Sequence, residues 1–236
     1  MKLNDPELVR RQYETEAGLA TRRDAQNRFL EGENAFDVAL AAVVEAHPRR
    51  VLEVGCGMGQ LAQRVAASVD AEVVATDLSP RMVELTRARG IDASVADVQD
   101  LPFADGEFDC AVAGWMLYHV PDLDRALAEL CRVLEDSGRL VAVTIGEEHM
   151  AEVWELVGNP PRERPFTREN GDEHLRRYFP RVERRDVDAA LVFPDAEAVR
   201  AYVESTYFAH ALTSPVPDFD GSFRSRTRTT VFVAER

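Results

Sequence analysis

The chain has 236 residues, of which 45% are hydrophobic, and its formal net charge is −14. This length and composition predict one globular domain with a sizeable core. The acidic balance disfavours a nucleic-acid-binding role, since non-specific affinity for DNA or RNA comes from basic side chains that displace counterions. No apolar run approaches the ~20 residues that a membrane span needs, so neither nucleic acid nor membrane is an expected partner.

The N-terminal part, residues 1–48, predicts helices that lie over the rest of the domain. Residues 6–31 are charged with few apolar positions, whereas residues 34–47 place alanine and leucine at helical spacing. The first residues lack the apolar core and cleavage site of a secretory signal. The three cysteines are odd in number and lack metal-ligand spacing, so we expect reduced thiols, a cytoplasmic location and no metal.

Residues 49–146 alternate between buried strands and helices. "RVLEV" is an apolar run that ends at glycine, and "SPRMVELTRARG" has the serine, proline and glycine that mark the two ends of a helix. Five such alternations with short links are typical of a parallel sheet with helices on both faces. The fold class that this pattern predicts is α/β, with a Rossmann-like, doubly wound, mostly parallel sheet of seven strands in a single domain.

The regular alternation ends after residue 146. Residues 147–227 contain two helix-like stretches, a late strand at 182–193 and a helix at 195–212. The last strand is expected at residues 228–236. A long insertion before the last strand is typical of a lid that covers a substrate.

Three alternate glycines after the first buried strand indicate a ligand site that is lined by backbone. Ligands of open parallel sheets bind beyond the carboxyl ends of the strands. A dinucleotide fingerprint would require a third glycine where Gln60 stands, and Glu53 would place a carboxylate near the phosphates. S-adenosylmethionine carries an ammonium and a sulfonium but no phosphate, so it fits an acid beside Gly55, Gly57 and Gly59 better.

Two further acids follow the next two strands. Asp77 lies at the distance from the glycine loop at which such folds place an acid on ribose hydroxyls. Taken alone, Asp77 could instead only cap the helix that begins at Pro80. Asp97 is placed to accept a hydrogen bond from the adenine amino group. Together with the glycine loop, these acids predict S-adenosylmethionine as the cofactor.

These motifs resemble those of class I S-adenosylmethionine-dependent methyltransferases, in the subgroup of small-molecule enzymes of the ubiquinone-biosynthesis type. "VLEVGCGMGQLA" is similar to the first motif, "VVATDLSPRMVELTRARG" to the second, and residues 96–141 to the stretch through the fourth and fifth strands. The resemblance covers residues 49–146. It implies that the cofactor is bound by Glu53, Gly55, Gly57, Gly59, Asp77, Leu78, Met82, Asp97, Val98 and Gly114.

His119 is the candidate catalytic residue. It follows the fourth strand, close to where the methyl group should point, and a neutral imidazole is a suitable base near pH 7. The alternative is that it only lines the pocket. Further side chains expected at the pocket are Tyr13, Trp115, Tyr118 and His149, and Tyr207 and His210 of the insertion could touch the substrate.

The sequence thus predicts an enzyme that transfers a methyl group to an O, N or C atom of a small-molecule acceptor by in-line displacement. Such a protein mainly has to align the acceptor with the methyl group and exclude water. The alternatives are a methyltransferase that acts on RNA or protein, and a non-catalytic module that only binds S-adenosylmethionine. The sequence does not indicate an oligomeric state.

Overall fold

An eight-stranded sheet forms the centre of the computed structural model, which describes residues 4–158, 163–206, 209, 212 and 214–236. The strands are β1 (Leu30–Glu31), β2 (Arg50–Val54), β3 (Glu72–Asp77), β4 (Asp92–Val95), β5 (Phe108–Gly114), β6 (Leu134–Ile145), β7 (Arg181–Phe193) and β8 (Phe223–Glu235). Their spatial order is β1-β7-β8-β6-β5-β2-β3-β4. The α/β fold with a mostly parallel sheet is confirmed. The strand beyond the expected seven is the two-residue β1, which pairs antiparallel with β7.

Helices cover both faces of this sheet. They are α1 (Pro6–Gln12), α2 (Ala17–Phe29), α3 (Ala35–Val44), α4 (Gln60–Ser68), α5 (Pro80–Arg87), α6 (Leu123–Val133), α7 (Ala151–Leu156), α8 (Gly171–Leu175) and α9 (Ala196–Glu204), with a 3₁₀ turn at Leu117–His119. One core cluster packs α6 and α8 against one face, and a second packs α3, α4 and α5 against the other. The sheet is therefore doubly wound.

The ends of two elements differ from the sequence expectation. The helix expected over 195–212 ends at Glu204, because the hydroxyls of Ser205 and Thr206 donate to the carbonyls of Tyr202 and Val203 and so satisfy the last turn. The last strand begins at Phe223, ahead of residue 228, because pairing with the long β7 extends it.

A third core cluster joins the N-terminal helices to the region after β6. It packs α2, α7 and α9 around Phe193 at the end of β7. Gly18 permits the close approach of α2 to α9, since a Cβ atom at this position would lie 2.6 Å from the Ser205 carbonyl oxygen. The cover formed by α1 and α2 is thus fixed to the end of the sheet at which a ligand would bind.

The strand order places a switch point between β2 and β5. From β2 the chain builds outward to β3 and β4, whereas β5 lies on the other side of β2 and leads to β6. Ligands of open α/β sheets bind at the carboxyl ends of the strands that flank such a point. Within the described residues, no helix combines the length and the hydropathy that a membrane span requires.

Candidate active site

A cavity of about 1040 Å³ opens at the carboxyl ends of β2, β3 and β5. The glycine loop forms its floor, and side chains from α1 and α2 form its opposite wall. Small-molecule sites commonly occupy ~300–1,000 Å³. This cavity therefore has room for a cofactor and a second small molecule side by side.

Of the predicted site residues that the structure describes, all but two line this cavity. Those that do are Tyr13, Glu53, Gly55, Gly57, Asp77, Leu78, Asp97, Val98, Gly114, Trp115, Tyr118, His119 and His149. Tyr207 and His210 lie outside the described residues.

Met82 and Gly59 lie outside the cavity wall. Met82 lies on the buried side of α5 and is fully buried, so the adenine contact that the resemblance implies stays a prediction. Gly59 has a φ of +74°, and a Cβ atom there would lie 2.9 Å from the Cα of Thr86. Gly59 therefore allows α4 to pack against α5 and does not itself face the ligand space.

Asp77 links the glycine loop to the start of α5. Its Oδ2 accepts a hydrogen bond from the Gly57 amide and its Oδ1 accepts one from the Ser79 amide, both at 2.9 Å. The cap of α5 is Ser79, whose hydroxyl accepts from the Met82 amide, so Asp77 is not the helix cap. Each carboxylate oxygen can accept a second hydrogen bond. The two backbone contacts are therefore compatible with a ribose diol as a further partner.

Asp77→Ala is expected to weaken the binding of S-adenosylhomocysteine by about ten- to a hundredfold. Loss of a charge-assisted contact costs roughly 1.5–3 kcal/mol. Calorimetric titration measures the affinity, and a melting curve reports the loss of the two backbone contacts. The control is Ser79→Ala, which removes the cap and the hydroxyl contact with the Tyr13 carbonyl but leaves the Asp77 carboxylate in place. A variant that melts early but binds normally would restrict Asp77 to a structural role.

Glu53 is the buried acid at the base of the glycine loop. Its side chain is 5% exposed, and its Oε2 makes no hydrogen bond within the described part of the chain. Burial raises the pKa of Glu53 to about 8. The charge of Asp77 also raises this pKa, whereas a backbone hydrogen bond with Ala62 and the charge of Arg23 lower it. A buried carboxyl oxygen without a partner is costly unless a ligand supplies one.

The ammonium of S-adenosylmethionine meets this requirement. It carries a positive charge and N–H donors, and these are what the unpartnered oxygen of a buried carboxylate requires. Gly57, which has a φ of +54°, lines the same cavity as Glu53 and places backbone without a side chain there. The residues present therefore fit the methionine part of this cofactor.

Binding of an ammonium at Glu53 is expected to release a proton. At pH 7 the carboxyl is mainly protonated, since its pKa is about 8, and a bound cation would favour the charged form. Titrations with S-adenosylhomocysteine in two buffers of different ionisation enthalpy should reveal up to one released proton per ligand, and Glu53→Gln should remove it. A binding enthalpy that is equal in both buffers for the unmodified protein would contradict this role.

The same shift sets the pH dependence of stability in the unliganded protein. The folded chain keeps a proton on Glu53 that the unfolded chain releases above its ordinary pKa of 4.5. The free energy of unfolding should therefore fall as the pH rises from 4.5 to about 8. Glu53→Gln should flatten this part of the profile, as measured by denaturant titration.

Tyr13 and His119 form a polar pair at the mouth of the cavity. The Tyr13 hydroxyl lies 3.1 Å from Nε2 of His119, and the His119 ring stands edge-on to the rings of Tyr13 and Tyr118. Burial raises the pKa of Tyr13, so its hydroxyl stays protonated near neutral pH. The Tyr13 carbonyl accepts from the Ser79 hydroxyl at 2.9 Å. The N-terminal cover thus contacts both the start of α5 and the candidate base.

His149 and Asp97 form hydrogen bonds with neighbouring residues. The Nδ1 of His149 accepts from the Arg228 amide of β8 at 3.1 Å, and Trp154 donates to the His149 carbonyl. Asp97 accepts from the amide and the side chain of Gln99, which fixes the loop after β4. Across the described ranges, no three His, Cys, Asp or Glu side chains are grouped so that they could hold a metal ion.

Sequence reasoning missed one face of α2. Leu19, Arg22, Arg23 and Gln26 all line the cavity. Their spacing of i, i+3, i+4 and i+7 was a usable signal, because these positions share one side of a helix. The charges on that side were consistent with a solvated helix, and nothing in the sequence shows what the helix packs against.

Comparisons with known proteins find a methyltransferase family. Residues 52–142 match the family described as a methyltransferase domain. A demethylmenaquinone methyltransferase of Thermus thermophilus is 36% identical over 139 residues, which cover 53% of this chain and 61% of that protein. The chain spans about half the length of the curated relatives it matches.

Solved structures share the fold over nearly the whole chain. A methyltransferase of Thermotoga maritima, described as a possible histamine N-methyltransferase, is 20% identical, with 96% of this chain and 99% of that chain covered at a TM-score of 0.63. The 1,6-didemethyltoxoflavin-N1-methyltransferase of Burkholderia thailandensis, solved with its substrate and S-adenosylhomocysteine, is 19% identical, with 98% and 88% covered at a TM-score of 0.61. At such identities the likeness shows the fold alone. The family match therefore supports a methyltransferase domain in residues 52–142, whose motifs resemble those of class I S-adenosylmethionine-dependent methyltransferases.

Proposed function

We propose that this chain is an enzyme that transfers a methyl group from S-adenosylmethionine to an O, N or C atom of a small molecule. The observation that carries the proposal is the buried Glu53, whose Oε2 makes no hydrogen bond within the described part of the chain and which lies beside a glycine loop and a cavity of about 1040 Å³. In this arrangement residues 49–146 bind the cofactor, and residues 1–48 and 147–227 cover it and the acceptor.

The cofactor supplies a methyl group on a sulfonium, which is already a strong electrophile. The chain therefore has to position two molecules and keep water out. Asp77 would hold the ribose, and Glu53 would hold the ammonium. We assign proton removal from the acceptor to His119, with the Tyr13 hydroxyl orienting its imidazole through Nε2.

The aromatic lining of the cavity favours an acceptor with a flat apolar body. The rings of Trp115, Tyr118, Trp154 and Tyr202 all line the cavity, and flat rings pack well on such surfaces. Several curated relatives are named as O-methyltransferases, the ubiquinone biosynthesis enzyme of Xanthomonas oryzae among them. A phenolic oxygen is the acceptor that best suits both an aromatic wall and a nearby imidazole.

The competing functions have less support. A net charge of −14 would repel RNA on average. A module that only binds the cofactor would not need space beside it for a second molecule. The three cysteines are free thiols, which favours a cytoplasmic location.

Transfer of an isotopically labelled methyl group tests the proposal. The purified protein is incubated with labelled S-adenosylmethionine and with separate sets of phenols, hydroquinones, small amines, transfer RNA and a protein mixture. Label is expected in a phenol or hydroquinone and not in the two macromolecular sets. Label in transfer RNA or protein would overturn the acceptor assignment. Failure to bind S-adenosylhomocysteine in calorimetry would overturn the cofactor assignment.

A further inference from the structure

Arg23 projects from α2 into the same cavity as Glu53. Its guanidinium carbon lies 4.7 Å from the centre of the Phe36 ring and 5.8 Å from that of Trp115, and these two rings stack on each other at 6.1 Å. The helix that carries it is docked firmly, since Ala25 is buried and Arg22 donates a hydrogen bond to the Ser205 carbonyl. Arg23 is therefore held over the ligand space by its surroundings.

The guanidinium of Arg23 has donors that the described residues do not use. It forms neither a hydrogen bond nor an ion pair with them, whereas Arg22 and Arg81, which also line the cavity, bind the Ser205 carbonyl and Glu16. Burial lowers the pKa of Arg23, which shows the cost of desolvating it, although Glu53 partly opposes this. The aromatic faces of Phe36 and Trp115 stabilise the cation but cannot accept its planar set of N–H groups. An anion is the partner that such a group requires.

Glu53 and Arg23 are electrostatically coupled, since each shifts the pKa of the other toward the charged form. They form no ion pair within 4.0 Å of each other, and both line the same cavity. An α-amino acid carries an ammonium and a carboxylate a few ångströms apart. A buried carboxylate on one side and a guanidinium on the other are complementary to that pair of charges.

We propose that Arg23 binds the carboxylate of the methionine part of the cofactor, opposite Glu53, which binds its ammonium. This inference rests on the proposed function, because it takes S-adenosylmethionine as the ligand. The carboxylate is bound by α2 and the ammonium by β2, so the amino-acid end of the cofactor ties the N-terminal cover to the sheet. Ligands that lack this carboxylate lose that link.

Ligands with and without the carboxylate test the assignment. Affinities of the full chain and of Arg23→Gln are measured by calorimetry for S-adenosylhomocysteine, for its decarboxylated analogue and for 5′-methylthioadenosine. The matched control is Arg64→Gln, because Arg64 also lies over Phe36, at 5.2 Å, but is paired with Asp37 and does not line the cavity. Melting curves check that each variant is folded.

Arg23→Gln is expected to lower the affinity for S-adenosylhomocysteine by about ten- to a hundredfold. It should change the affinity for each of the other two ligands by less than threefold. Arg64→Gln should leave all three affinities unchanged. An equal loss for all three ligands would mean that Arg23 only shapes the cover. An unchanged affinity for all three ligands would mean that Arg23 does not bind the cofactor and would favour an anionic group of the acceptor as its partner. Either result overturns the proposal. If the unmodified chain binds none of the three, the proposed function fails independently of Arg23.

Discussion

Gly57→Val is expected to reduce the affinity for S-adenosylhomocysteine by a hundredfold or more. Gly57 has a φ of +54°, and a Cβ atom there would lie 3.3 Å from Cδ2 of Leu19 on the cover helix. A valine would place two further methyl groups in the narrow space between the loop and α2. It would also strain the backbone, since β-branched residues rarely adopt this conformation. Calorimetric titration of the variant measures the loss.

A second valine separates obstruction from strain. Gly90 has a φ of +82° but no atom within 4 Å of a Cβ at that position, so Gly90→Val imposes a similar backbone cost away from the cavity. Gly90→Val should melt earlier but bind S-adenosylhomocysteine as the unmodified chain does. Equal affinities for both variants and the unmodified chain would show that the loop does not hold the ligand.

The cofactor-binding core could be predicted from the sequence because each of its signals is local. A buried strand followed by a glycine loop needs only the residues from Arg50 to Gly59, and the caps of α5 are adjacent in the chain. The ends of parallel strands meet at one edge by topology alone. This is why Glu53, Asp77 and Asp97, far apart in the chain, could be expected at one cavity.

The cover could not be predicted in the same way because it depends on contacts between distant segments. The packing of α2 on α9 joins residues that are far apart in sequence, and the contact of Tyr13 with His119 spans 106 positions. Arg23 is one of three arginines in α2, and the charge pattern of this helix is also that of a solvated surface. The assignment of Met82 rests on the resemblance alone, and the sequence does not show that its side chain is buried.

His119→Ala is expected to lower the turnover number by ~10²–10⁴, the usual contribution of a positioned base. The residue lies in the 3₁₀ turn directly after β5, and its Nε2 lies 3.1 Å from the Tyr13 hydroxyl. The affinity for S-adenosylhomocysteine should barely change, because the residues assigned to the cofactor remain. With the acceptor found by labelling, the rate of the unmodified enzyme should rise with pH over the range in which imidazole loses its proton, and then level off.

Tyr13→Phe is the companion variant, because it keeps the ring over the cavity and removes only the hydroxyl that contacts His119. If that hydroxyl orients the imidazole, the variant should lower the turnover number less than His119→Ala does, at unchanged KM for the cofactor. If His119 only lines the pocket, His119→Ala should instead raise KM for the acceptor or lower the melting temperature, and keep the pH profile. An unchanged turnover number in His119→Ala would exclude proton removal by His119, and a loss in Tyr13→Phe alone would move the role to the tyrosine. The pH profile distinguishes these cases, because the rate does not depend on the protonation of a residue that only packs against the pocket.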